Sequence, residues 1–154
     1  MKVSASAPFP IPPLTVKGRE LKISVVSPTY NHAHFLRQNL DATLGQTYPH
    51  FELIVVNDGS TDATHDILTE YASKDPRIKC HSFESNQGSG AAVEYGRQLA
   101  SGDLLYCSAS DDYLATPNFF EQVVNLMLKA PHAAGVFGQA ELVSSETGKS
   151  ICLM

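Results

Sequence analysis

The chain has 154 residues, 43% of them hydrophobic, enough for one domain with a core. Its formal net charge of −5 argues against a generic nucleic-acid or anionic-membrane surface, which needs excess Lys and Arg, but not against an anionic ligand held through a metal. The 3 cysteines, Cys80, Cys107 and Cys152, are odd in number and lack metal-ligand spacing, which fits buried free thiols in a reducing compartment; with no bilayer-length apolar run and no secretory h-region, a cytoplasmic protein is expected.

Residues 1–20 carry Pro8, Pro10, Pro12 and Pro13 among small residues and read as an extended leader; residues 21–154 read as one domain. A first strand is expected over Leu21 to Ser27, apolar on both faces as in a covered parallel sheet. Pro28-Thr29-Tyr30-Asn31 ends it, with Asn31 as a cap for a helix from Ala33 to Leu44, whose Leu36, Leu40 and Leu44 form a buried stripe. A second strand spans Phe51 to Asn57. Asp58-Gly59-Ser60-Thr61-Asp62 then turns into a helix over Ala63 to Ser73 that stops at Asp75-Pro76.

A weaker third strand, Ile78 to Phe83, leads through a Glu84–Gly90 loop to a helix over Ala91 to Ala100. Asp103 to Ser108 is the fourth strand, read as buried. Thr116 as N-cap with Pro117 in the first helical position predicts a helix running to Lys129. A short fifth strand is expected from Ala134 to Gly138, extendable to Val143, then a turn at Glu146–Lys149 and a further strand from Ser150. This alternation implies an α/β fold: a mostly parallel sheet with helices on both faces.

In such a sheet the loops Pro28–Asn31, Asp58–Asp62, Glu84–Gly90 and Ser108–Tyr113 leave on one edge and can line one cleft, where α/β folds place ligands. Tyr30 offers a face for stacking a base, Asp58 a carboxylate for a base or ribose, and Asp111 with Asp112 a seat for a hard divalent cation. The cation would neutralise a diphosphate and stabilise it as a leaving group. Each has a plainer alternative: a core-edge aromatic for Tyr30, an Asx-turn for Asp58, an acidic surface loop for the Asp pair. Asn86 and Gly88 read as turn formers, and His32 and His34 as exposed residues at a helix start. There is no G-x-G-x-x-G after the first strand, no Walker lysine motif and no G-x-S-x-G elbow.

Three segments in order, Ser24–Asn31 (SVVSPTYN), Gln46-Thr47-Tyr48, and Glu52–Asp62 (ELIVVNDGSTD), resemble the opening of a family 2 glycosyltransferase of the GT-A fold. Asn86-x-Gly88, Ala92, Gly96 and Gly102-Asp103 continue the pattern, and Asp111-Asp112 falls at the family's D-x-D region. The resemblance covers about Lys22 to Lys149. It implies sugar transfer from a nucleotide-activated donor, commonly UDP-linked, to a saccharide or lipid-linked acceptor, with Mg²⁺ or Mn²⁺. Pro28, Thr29, Tyr30, Asp58 and Asp111 would bind the nucleotide, and Asp111 and Asp112 the metal.

It also implies a place at the inner membrane face, in cell-envelope or capsule polysaccharide synthesis. The sequence departs from the family at Ala109, where many members carry Asp, and at Val93-Glu94, where Arg-Asn is usual. The acceptor half and the general base of the family lie beyond Met154, so the expectation is a donor-binding, C-terminally truncated portion. Exposed apolar surface near Val136, Phe137 and Ile151–Met154 would then favour a dimer through the truncated edge. A non-catalytic nucleotide-sugar-binding module and a metal-dependent phosphohydrolase using Asp111 and Asp112 are the competing functions.

Overall fold

The computed structural model describes residues 20–136, 138, 141–143 and 150–153. The proline-rich leader up to residue 19, Phe137 and the turn over 146–149 lie outside the described residues. In chain order the elements are β1 (Ile23–Thr29), α1 (Ala33–Leu44), β2 (Phe51–Asn57), α2 (Thr64–Lys74), β3 (Ile78–Ser82), α3 (Ser89–Leu99), β4 (Leu104–Cys107), α4 (Phe119–Lys129), β5 (Glu141–Val143) and β6 (Ser150–Leu153). A larger compact unit ends at Val124 and a smaller one begins at Asn125.

The larger unit holds a four-stranded sheet in the order β3-β2-β1-β4, parallel in every pairing. The apolar runs fill its centre: every residue of β2 is buried, and so are Ile23, Val25 and Val26 of β1. The crossovers from β1 through β2 to β3 step one way along the sheet, and the return to β4 steps the other way. With right-handed crossovers, α1 and α2 cover one face and α3 the other. Accordingly Cys80 of β3 meets α2, its thiol 3.7 Å from the Leu68 carbonyl. On the opposite face Val26, Ile54 and Val56 pack with Ala92 of α3.

Pro28 lies in a central strand without breaking its ladder. Val26 accepts the Ser108 N–H through its carbonyl at 2.9 Å, so Val26 faces β4. Pro28, two residues on, faces the same side, where β4 has ended at Cys107. Its missing N–H therefore costs no ladder bond, and the chain leaves an opening between the ends of β1 and β4.

Several local expectations are corrected. Among the described residues β4 is an edge strand rather than a buried one: Leu105 is 47% exposed and Cys107 is exposed, because β1 is the one described strand that pairs with it. Cys80 is half-buried, and burial pushes its thiol up to about 11. Asn31 does not cap α1. The first N–H of α1, from Ala33, is taken by Asp62 Oδ2 at 3.0 Å, and Asp62 Oδ1 takes the Thr64 N–H of α2 at 3.0 Å. One carboxylate thus serves two helix starts.

Helix α4 begins at Phe119, later than Thr116-Pro117 suggested, because Gln46 supplies the cap from outside. Its Oε1 accepts the Phe120 N–H at 3.1 Å, and its Nε2 donates to the Thr116 carbonyl at 2.7 Å. In the smaller unit, residues 134–136 form no strand. β5 is instead confined to Glu141–Val143 and pairs antiparallel with β6, so this hairpin does not continue the parallel pattern.

Candidate functional site

Between β1 and β4 the direction of strand addition reverses, and the crevice at such a switch point is where open α/β sheets bind ligands. A cavity of about 310 Å³ lies there. The end of β1 gives it Pro28, Thr29 and Tyr30; the end of β2 gives Asp58; the β3–α3 loop gives Asn86; the β4–α4 loop gives Ala109, Ser110 and Asp111. Four separate loops meet in one place, as the strand-end argument requires.

Tyr30 is 42% exposed, so a large part of its ring is open to solvent. Its neighbour Asn31 takes a positive φ of 54°, which Asn tolerates. The Asn31 N–H donates to Ser60 Oγ at 2.9 Å and Asn31 Oδ1 accepts the Thr61 N–H at 2.8 Å. The loop that presents Tyr30 is thereby bound to the loop after β2. Thr29 is buried, and its hydroxyl has no partner among the described residues. The hydroxyl oxygen is itself enclosed, so Thr29 contributes to the wall as a residue and its hydroxyl is not open to the cavity.

Asp58 is buried and is neither an Asx-turn nor a free carboxylate. Its Oδ1 accepts the Gln87 N–H at 2.7 Å and its Oδ2 the Gly88 N–H at 2.9 Å. A carboxylate has about four acceptor positions, so capacity remains for a ligand donor. Gly59 makes this approach possible. It has φ +70°, and a Cβ there would stand 2.6 Å from the Ser85 carbonyl carbon and 2.7 Å from the Asn86 nitrogen. Asn86 both forms the expected turn, its Oδ1 accepting the Gly88 N–H at 3.0 Å, and lines the cavity.

Of the acidic pair, Asp111 lines the cavity and Asp112 does not; both are exposed. Among the described residues no group of three or more His, Cys, Asp or Glu side chains is arranged to hold a metal ion. This donor set fits a hard cation that takes one or two carboxylates from the protein and its remaining oxygens from phosphate and water, the usual manner of Mg²⁺. It does not fit a site built wholly from protein ligands.

Two wall residues were not selected from sequence. Ser110 is buried and His32 lines the cavity, with His32 Nδ1 and Ser110 Oγ 2.8 Å apart. His32 carries no spacing signal, since its partner lies on a distant strand end. Glu94, at the departure from the family pattern, is exposed on α3 and bonds Arg97 Nε at 2.7 Å.

The fold is that of a doubly wound α/β protein, with a cavity at the switch point between β1 and β4 as its candidate ligand site. A sequence profile of Glycosyl transferase family 2 matches residues 24–151, and the chain belongs to that family. An uncharacterised glycosyltransferase of Rickettsia typhi is 37% identical over 107 residues, covering 70% of this chain and 32% of that protein. The chain thus spans about a third of that relative.

Residues 1–349 of the S. aureus protein TarS, solved in complex with UDP-GlcNAc, superpose with a TM-score of 0.66 at 29% identity, over 71% of this chain and 32% of that 1–349 portion. The mannosyltransferase PcManGT of Pyrobaculum calidifontis, solved with GDP-Man and Mn²⁺, shares the fold with a TM-score of 0.66 at 23% identity, over 82% of this chain and 36% of its own. Among the described residues no helix is long and apolar enough to cross a membrane.

Proposed function

We propose that this chain binds the nucleoside diphosphate of a sugar donor, UDP-linked, and serves a glycosyltransferase that moves the sugar to an acceptor hydroxyl with Mg²⁺ or Mn²⁺. The observation that carries the reading is the composition of the switch-point cavity: an open aromatic ring and two carboxylates, with no Lys or Arg among the described residues of its wall. Tyr30 would stack the base and Asp58 would accept a hydrogen bond from it. Pro28 and Thr29, at the end of β1, would shape the nucleoside pocket, and Asp111 would reach the ribose or the metal. The UDP-GlcNAc complex of TarS supports the choice of nucleotide.

Cation chemistry follows from charge. A diphosphate brought beside Asp111, with no Lys or Arg among the described wall residues, is repelled unless a divalent ion stands between them. Asp111 and Asp112 are the carboxylates this chain would offer it. When bound, that ion would supply Lewis-acid stabilisation of the departing diphosphate. Asp58 and Asp111 are taken up by the nucleotide and metal in this reading and His32 Nδ1 by Ser110, so no general base for the acceptor hydroxyl is assigned within this cavity.

Calorimetric titration of UDP with and without Mn²⁺ tests the reading. Binding should be strengthened by Mn²⁺, and Asp111→Asn should remove about tenfold of that gain, the loss of one charge-assisted contact. Equal affinity with and without the metal, unchanged by Asp111→Asn, would overturn it.

A further inference from the structure

Asn39 lies inside α1 and is 1% exposed. A buried amide in a helix interior is unfavourable on propensity and on desolvation, so its contacts need an account. Its Nδ2 donates to the Ala109 carbonyl at 3.0 Å and the Asp112 carbonyl at 2.7 Å, with Ser108 Oγ at 3.2 Å. The same Ala109 carbonyl accepts the Asp112 N–H at 3.2 Å, which closes a turn with Ser110 and Asp111 at its centre. Asn39 therefore grips both ends of the turn that carries Asp111. Its Oδ1 has no partner among the described residues, so the retained function of the amide is its pair of donors.

We propose that Asn39 is a positioning residue for the cavity: it fixes the 109–112 turn and so sets where the Asp111 carboxylate stands when metal and diphosphate arrive. The inference rests on the donor-site reading above. Asn39 is not among the residues lining the cavity, so it acts through the turn and not by touching a ligand. The chemistry is specific to an amide. Both principal acceptors are backbone carbonyls, which fixes the NH₂ group toward them. A carboxylate of the same size would set negative oxygen against both.

The test is UDP titration of the full chain with and without Mn²⁺, in wild type, Asn39→Asp and Asn39→Ala, with folding checked by circular dichroism. Metal-free UDP binding, which uses the β1 and β2 loops, should stay within about twofold of wild type, while the gain from Mn²⁺ should fall at least about fivefold in both variants. A retained Mn²⁺ gain in either folded variant overturns the proposal. So does an equal loss with and without metal, which marks a purely structural residue.

Amide hydrogen exchange on the wild-type chain needs no substitution. The Asp112 N–H should be protected, and exchange at the rate of a free loop would contradict the grip. Failure of the donor-site reading appears differently, as wild type that binds no UDP under either condition, and it removes this proposal with it.

Discussion

Asp58 Oδ2 accepts the Gly88 backbone N–H at 2.9 Å, while Gly88 holds a φ of +92° at the mouth of α3. Together with the Oδ1 bond to Gln87 at 2.7 Å, this makes Asp58 the anchor of the β3–α3 loop as well as a wall of the cavity. Replacement by Asn keeps one acceptor and turns an NH₂ toward a backbone N–H. Asp58→Asn should therefore lower unfolding free energy by about 2 kcal/mol, as expected for losing a hydrogen bond to a charged group. Urea denaturation measures this, and an unchanged midpoint would show that the loop is held by other contacts.

The glycines of α3 and the turn after it should divide sharply. A Cβ on Gly96 would stand 2.5 Å from Val26 Cγ1, and one on Gly102 would stand 2.6 Å from the Ser24 nitrogen and 2.7 Å from the Lys22 carbonyl oxygen. Gly96→Ala should cost about 1–3 kcal/mol by overpacking, and Gly102→Ala as much or more because its neighbours are backbone. Gly90, in α3 with open space around it, should gain about 0.5–1 kcal/mol on substitution by Ala. Thermal melts of the three variants check the order.

Glu52 is 3% exposed and accepts from Ser24 Oγ at 2.7 Å, Ser101 N at 2.9 Å, Ser101 Oγ at 2.8 Å and Lys79 Nζ at 2.7 Å, with Lys22 Nζ at 3.1 Å. Burial pushes its carboxyl up. The bonds from Lys79, Ser24 and Ser101 outweigh burial and hold it well below the ordinary carboxylate range. A depressed folded value stabilises the fold above the unfolded value, about 4.3, and that stability is lost as pH falls through the folded value. Stability should thus decline from about pH 5 downward in wild type, and less steeply in Glu52→Gln. Glu52→Ala, which leaves buried donors unpaired, should cost about 3 kcal/mol near neutral pH. Parallel pH profiles for wild type and Glu52→Gln would contradict this.

Tyr30 is bound into the loop by its neighbour Asn31 rather than by its own ring, so Tyr30→Ala should spare the fold. Nucleotide affinity should fall by the value of one stacked base, about 1–3 kcal/mol. Thermal melting reads the first effect and UDP titration the second. A fully retained affinity would remove Tyr30 from the site.

What was legible in the sequence is what short-range physics determines. The apolar runs of β1 and β2 and the leucine stripe of α1 located the central sheet and its first helix, with α1 found at Ala33–Leu44 as the spacing indicated. Alternation of strands and helices located the site edge, and four of its loops converge there. The misses are long-range. Gln46 caps α4 from 74 positions away, and Asp62 serves a helix start 29 positions before it. Neither pairing leaves a local mark, so Thr116 and Asn31 looked like the better caps. Leu105 and Cys107 read as buried because an apolar run does not tell an edge strand from a central one. Asn39 escaped notice and His32 was read as an exposed residue at a helix start, because their partners lie on the β4–α4 loop, at distances along the chain that no periodicity encodes.

The most direct test of the central claim is a crystal structure of the chain grown with UDP and MnCl₂, with the metal located by anomalous scattering. The uracil is expected against Tyr30 beside Asp58, with a manganese peak between the diphosphate and the carboxylates of Asp111 or Asp112. UDP bound away from the β1–β4 crevice, or a diphosphate held there by protein cations with no metal peak, would contradict it.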